Sequence, residues 1–304
     1  MTSRIVIQPS KGTKKEFVAK VQSWANEVLE KKRPLAAPTF ISINIWRRTD
    51  ELQSFYQKEK QELGIVTGED TDFLATHEAW RGDPRIHICQ ERVKDVPDVV
   101  IQSVLHHEVS HALHHGTPEF YTFRYSTKLQ DAGRICGLDL APLQQCVYLL
   151  SIAIKDHDVV TWLTDIGLGF GQLHLLEYMI SDTEDERRIW EVVCANPAPR
   201  KLALAFFLKT LLPIEALVSL SVERAEIIKN QWKEAYGWLS ETIQERLVGF
   251  AHNTMAYKDK PFQQRLENVT FKLISEASLY IILLRTFSMY GENGADKFRV
   301  GKQN

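Results

Sequence analysis

The chain has 304 residues, 44% of them hydrophobic and 25% charged, with a formal net charge of -2. That length can bury a sizeable core in one large domain or two ordinary ones, and the composition is that of a globular protein. So small a charge excludes bulk electrostatic attraction to nucleic acid or to an anionic membrane, and neither partner is expected.

The opening MTSRIVIQPSKG lacks the apolar run of a secretory signal. The most apolar windows, Val147 to Ile154 and Leu202 to Leu220, are too short or are interrupted by Lys209, Pro213 and Glu215, so no membrane span is expected. Cys89, Cys136, Cys146 and Cys194 are scattered, with no C-x-x-C pair. That pattern suits buried thiols in a reducing compartment, and points to a cytoplasmic protein rather than a disulfide framework or a cysteine zinc site.

In chain order, a short strand is expected at Ile5 to Ile7. Lys14 to Lys31 carries Phe17, Val18, Val21, Trp24, Ala25 and Leu29 at amphipathic helical spacing. Pro34 to Pro38 end that helix, and Thr39 to Trp46 alternates as a strand. Asp50 to Leu63 predicts a second helix. Phe73 to Trp80 predicts a strand, Arg81-Gly82-Asp83-Pro84 a turn, and Arg85 to Gln90 the last strand. The next helix should run from about Val96 to His115, with Asp95 as its cap, Pro97 in the first turn and Gly116 ending it.

Beyond Gly116 no strand is expected. Helices are predicted at Ala141 to Ile166 and Leu173 to Ile180, with Gly167-Leu-Gly-Phe-Gly171 as a break between them. Thr183-x-x-Glu186 has the form of a capping box opening a helix through Val193, and Asp182, Glu184, Asp185 and Glu186 suit its dipole. Asn196 to Pro199 reads as a turn. Helices follow at Lys201 to Leu211, Ile214 to Leu220, Val222 to Phe250 and Pro261 to Tyr290, before a polar tail. The fold class is therefore α+β, divided into an α/β lobe over residues 1–116 and an all-helical lobe over 117–304.

The chemistry concentrates in His106-His-Glu-Val-Ser-His-Ala-Leu-His-His-Gly116. Within it His107-Glu108-x-x-His111 is the pattern in which two histidines of one helical turn hold a metal and the glutamate acts on water. Residues four apart lie about 40° apart around a helix, so both imidazoles face one point, whereas Glu108 sits about 100° round and is poorly placed to be a ligand. Val100 and Val104 continue the histidine stripe, so the pair should face inward. His114 lies about 10 Å along the axis from His107, too far to share one ion, and His114 and His115 are expected to cap the helix C-terminus instead.

Those residues, with Thr39 to Trp46, Phe73 to Trp80 and Arg85 to Gln90 ahead of them, resemble the zincin metallopeptidases, in particular the gluzincin type, over about the first 116 residues. More loosely, the block is similar to uncharacterised archaeal metallopeptidases. The resemblance implies a zincin-like N-terminal lobe, a small mixed sheet plus the histidine helix, followed by a helical lobe. It implies that His107 and His111 bind Zn2+ and that Glu108 is the general base. It also makes Arg85 to Gln90 the edge strand beside which an extended peptide would lie. Two departures stand out. His114 and Thr117 occupy the places of the metzincin glycine and third histidine, and no Asn-Glu-x-x-x-Asp pattern follows.

A catalytic zinc needs a third protein ligand. Lys155-Asp156-His157-Asp158 interrupts an apolar run, and Asp156 continues the stripe Cys146, Leu149, Ala153, Val160 and Leu163. A carboxylate there is costly unless it is paired or bound to metal, so Asp156 is the expected third ligand. His157, Asp158 and Glu177 are alternatives. Tyr121 and Tyr125 are candidates for an oxyanion donor or for packing. The expected activity is zinc-dependent hydrolysis of a peptide or protein, with Glu108 accepting the water's proton. The alternative is a non-catalytic zincin-like scaffold that binds metal or a protein partner, for which a base at position 108 would be superfluous.

Overall fold

A computed structural model describes residues 3–31, 38–64, 73–79, 81–181 and 183–276. Among them the chain is mixed α+β, with one four-stranded sheet followed by helices. The strands are β1 (Arg4–Pro9), β2 (Phe40–Trp46), β3 (Ala75–Glu78) and β4 (Arg85–Cys89), in the order β1-β2-β4-β3. Pairing is parallel from β1 to β2 and from β2 to β4, and antiparallel between β4 and β3, where Thr76 faces His87 and Glu78 faces Arg85. The expected edge strand is thus corrected. Arg85–Cys89 is interior, and β3 forms the edge, because the turn at residues 81–84 folds β3 back along β4. β3 is also shorter than expected, and Trp80 lies outside the described residues.

Period-two alternation decides what each face of the sheet buries. Ile41, Ile43 and Ile45 of β2 and Ile86 and Ile88 of β4 point to one side. There they meet α1 (Lys15–Leu29) through Val21, Ala25 and Val28, and α3 (Asp98–His115) through Val100, Val104, Leu105, Val109 and Ala112. The opposite residues, Trp46 and Cys89, pack with Leu52, Phe55 and Tyr56 of α2 (Thr49–Leu63). The helix α3 begins later than its sequence suggests. Pro97, with ψ 138, is still extended at the N-cap and Asp98 is the first helical residue, so Asp95 is not the cap.

The remaining described elements are helical: a 3-10 turn at Pro118–Phe120, then α4 (Thr127–Ile135), α5 (Leu140–Asp165), α6 (Gly169–Met179), α7 (Glu184–Val193), α8 (Pro197–Ala216), α9 (Val222–Ala235), α10 (Glu241–Thr254) and a helix over residues 262–276. Three expectations change. Pro197 starts α8 rather than closing a turn, and Pro213 sits inside one helix instead of separating two. The single helix expected over Val222 to Phe250 is two, parted where the Tyr236 ring, 2% exposed, stacks on Trp232 at 4.5 Å. Residues 277–290 of the last predicted helix lie outside the described residues. α8 with its 3-10 extension, Pro197–Ser219, is long and apolar enough to cross a membrane, although 67% of its apolar window is buried within the protein. Of the four free cysteines, Cys89 and Cys146 are buried and Cys136 and Cys194 are partly exposed.

The chain divides into two compact units, and the division does not fall at Gly116. One comprises Met1–Phe123, Ala153–Thr183 and Thr210–Gln244, and the other Arg124–Ile152, Glu184–Lys209 and Glu245–Asn304. The reason is visible in α6, which packs on α3 and places Leu175 in the sheet's core. Gly171 permits that approach, since a Cβ there would lie 2.7 Å from Ser103 Oγ. Gly167, with φ +82°, turns the chain from α5 into α6, a conformation L side chains rarely adopt. The glycine stretch is therefore a helix break followed by a helix start.

Candidate metal centre

α3 carries His107 and His111 one turn apart, and the part of α5 in the same unit brings Asp156 opposite them. His111 Nε2 lies 3.0 Å from His107 Nε2 and 3.0 Å from Asp156 Oδ1, and His107 Nε2 lies 3.6 Å from Asp156 Oδ1. These atoms form a compact donor set suited to a metal ion. Around a tetrahedral ion with bonds of 2.0–2.1 Å, donor atoms stand about 3.3 Å apart, so the observed triangle fits without rearrangement. The side chains are 12%, 7% and 15% exposed for His107, His111 and Asp156, which leaves the centre narrowly open.

Electrostatics follow from that enclosure. Burial works against an ionised Asp156, but the contacts and charges of His107 and His111 together outweigh it and hold the carboxyl well below the usual range. Burial holds His111 down to about 3. Burial is the largest single influence on His107 and lowers it, but the Asp156 contact and charge, the Glu108 charge and the Gln172 bond together outweigh it, so the group is raised overall. Glu108 is pushed up to about 8, first by burial and then by the Asp156 charge, with the His107 charge and the backbone N–H of His77 opposing. A half-buried carboxyl with that proton affinity is suited to accepting and releasing a proton near neutral pH.

The outward nitrogen of His107 is anchored. Gln172 of α6 gives its amide N–H to the Ser103 carbonyl at 3.0 Å, so its oxygen must face His107 Nδ1, also at 3.0 Å. A carbonyl oxygen only accepts, so the proton of neutral His107 resides on Nδ1 and the lone pair of Nε2 points into the donor triangle. The amide is fully buried, at 0% exposure.

The alternatives to Asp156 go elsewhere. His157 turns to Asp158, Nδ1 to Oδ1 3.4 Å, and Glu177 pairs on the surface with His174 at 3.4 Å. Asp158 also faces His115, with Oδ2 3.9 Å from Nε2. The C-terminal capping role expected for His114 and His115 is overturned. His115 is 3% exposed and its Nδ1 meets His111 Nδ1 at 3.2 Å, while His114 packs edge-on against Trp162 at 4.7 Å. Tight packing of α3 on its neighbours turns both rings inward. His106 Nε2 instead pairs with Glu27 of α1 at 3.2 Å.

Two neighbours had no metal signature in the sequence. His77 on β3 stacks on His111, rings 5.2 Å apart and 2° from parallel, and its Nε2 meets the Tyr121 hydroxyl at 2.6 Å. Lys155, 6% exposed, holds its ammonium 4.7 Å from the centre of the Tyr121 ring, and burial lowers its pKa to about 8. A lone histidine in a short strand and a lysine beside Asp156 offer no spacing rule by which to find them. Tyr125 lies in the second unit. No family model, no curated protein and no solved structure matches this chain.

Proposed function

We propose that this chain is a zinc-dependent hydrolase acting on peptide bonds, with His107, His111 and Asp156 holding the ion and Glu108 serving as general base. The observation that carries the reading is the convergence of two imidazole nitrogens and one carboxylate oxygen, 3.0–3.6 Å apart, beside a half-buried glutamate one residue along the helix. Two imidazoles and one carboxylate are a donor set zinc accepts, with a fourth position left for water.

Bound zinc would supply a Lewis acid that polarises the scissile carbonyl and lowers the pKa of water. Glu108 takes the proton from the attacking water and passes it to the departing amine nitrogen, so that water and one amide become a carboxylic acid and an amine. Gln172 keeps the His107 lone pair aimed inward throughout.

Peptide as the substrate class rests on the zincin resemblance together with β3. This strand runs antiparallel at the edge of an otherwise parallel sheet, and α3 packs beside it. The His77 N–H already bonds Glu108, so an extended chain would pair with the remaining outward N–H and C=O groups of this edge, which would lay a peptide alongside the donor triangle.

The test is metal content by mass spectrometry together with cleavage of a fluorogenic peptide library by zinc-loaded wild type and Glu108→Gln. About one zinc per chain is expected in both proteins, with hydrolysis falling by roughly 10²–10⁴ in the variant. Cleavage undiminished in Glu108→Gln would remove the general base from the scheme. Iron in place of zinc, or no peptide cleaved by the loaded wild type, would overturn the reading.

A further inference from the structure

We infer that His115 and Asp158 are positioning residues that hold His111 in its metal-binding tautomer, a role that rests on the metal centre proposed above. The three side chains form a line leading away from the donor triangle. His111 Nδ1 meets His115 Nδ1 at 3.2 Å, and His115 Nε2 faces Asp158 Oδ2 at 3.9 Å. His111 and His115 lie one turn apart on α3, and Asp158 comes from α5, two residues beyond Asp156.

Two imidazole nitrogens facing each other leave the donor undefined, because either can carry the proton. Asp158 resolves it. Its carboxylate stands 3.9 Å from His115 Nε2, beyond hydrogen-bond range, and its negative charge favours the proton of neutral His115 on that nitrogen, which leaves His115 Nδ1 as an acceptor. His111 then donates from Nδ1, and its Nε2 carries the lone pair toward His107 and Asp156. This is the tautomer a metal requires.

In the metal-free chain Asp156 Oδ1, 3.0 Å from His111 Nε2, draws the proton to Nε2 instead. The relay and Asp156 therefore compete for one proton. Metal binding displaces it from Nε2, and His115 offers it a bonded place on Nδ1 rather than a buried vacancy. His107 has the same service from Gln172, whose amide cannot reverse its polarity. The second histidine needs a carboxylate behind its partner because that partner is itself a histidine.

The alternative role for His115 is packing, since its ring lies edge-on to Phe120 at 4.8 Å. The two roles separate by substitution. Zinc affinity would be measured by competition with a chromophoric chelator for wild type, His115→Phe, His115→Gln and Asp158→Ala, with folding checked by circular dichroism. His115→Phe keeps the ring and is expected to weaken zinc binding on the order of 10–100-fold. His115→Gln supplies an amide oxygen to His111 Nδ1 and should recover most of that loss. Asp158→Ala, at a more exposed position, should weaken binding about tenfold or less without disturbing α3. Unchanged affinity in both His115→Phe and Asp158→Ala, or a glutamine no better than phenylalanine, overturns the relay and leaves the centre standing. A wild-type chain that binds no divalent ion overturns both.

Discussion

The two faces of the sheet each bury a histidine–carboxylate cluster, and the clusters are built to opposite ends. On the α2 face His87, 0% exposed, receives a bond from Trp46 Nε1 at 3.1 Å and meets Glu78 Oε1 at 3.1 Å. Arg85 then grips Glu59 with two bonds, at 2.8 and 2.7 Å, and also pairs with Glu78, while Arg81 meets Glu59 at 2.7 Å. The carboxylates there are neutralised by guanidinium groups of the chain itself. On the α3 face the partners described for Asp156 are two imidazoles, and the Nε2 atoms of those rings converge with its oxygen on one point. A cluster closed by its own cations has a structural role, whereas one that gathers donor atoms around a point is suited to a cation from outside.

That contrast can be broken at either cluster. The largest effect is expected from Arg85→Ala, which leaves Glu59 and Glu78 buried without their main partner and should cost about 3–5 kcal/mol of stability. Urea unfolding would read that loss, and zinc bound per folded chain should not change. A variant that instead lost its metal would mean the two clusters are one network.

Metal itself comes next. Zinc at a hundred times its dissociation constant should raise the unfolding free energy of the wild type by about 2.7 kcal/mol. Asp156→Ala should show little of that gain in a thermal melt. An equal gain in the variant would move the third ligand elsewhere.

A smaller effect is expected where α6 meets α3. Gly171→Leu forces a side chain into space where even a Cβ would stand 2.7 Å from Ser103 Oγ, and should cost about 1–3 kcal/mol. Because Gln172 would move with it, zinc affinity should fall too, and a variant that loses stability without losing affinity would separate Gln172 from the centre.

The smallest effect concerns pH in the metal-free protein. Burial holds His111 and His114 down to about 3 and about 4 from an ordinary 6.5. Between those values the unfolded chain binds protons that the folded chain does not, so their contribution is full above pH 6.5 and is lost as the pH falls toward 4. Glu108, raised by burial from 4.5 to about 8, acts in the opposite sense, because there the folded chain keeps a proton the unfolded chain has released. His114→Gln should therefore make the loss of stability between pH 7 and pH 4.5 shallower, as read by urea midpoints in a chelator. An unaltered slope would show that His114 does not titrate across the transition.

Local pattern alone sufficed for much of this molecule. The alternation of Phe40–Trp46, the helical stripe of α1 and the His107-Glu108-x-x-His111 spacing are properties of consecutive residues, and each is realised as an element or a shared face. Asp156 was legible for the same reason, as a carboxylate on an apolar helical stripe. Strand order was not. Which of two neighbouring strands forms the edge depends on long-range pairing, and the sequence of Arg85–Cys89 is equally apolar in either place. The orientation of His115 was likewise undetermined, because a histidine at a helix end can cap carbonyls or turn inward, and only the packing of α5 and the 3-10 turn after α3 against it selects the second. Gln172 and His77 reach the donor triangle from elements distant in the chain, where no spacing rule connects them to α3. Residues on one turn of one helix determine their own geometry, and everything that meets them from another element is decided by the packing of the whole fold.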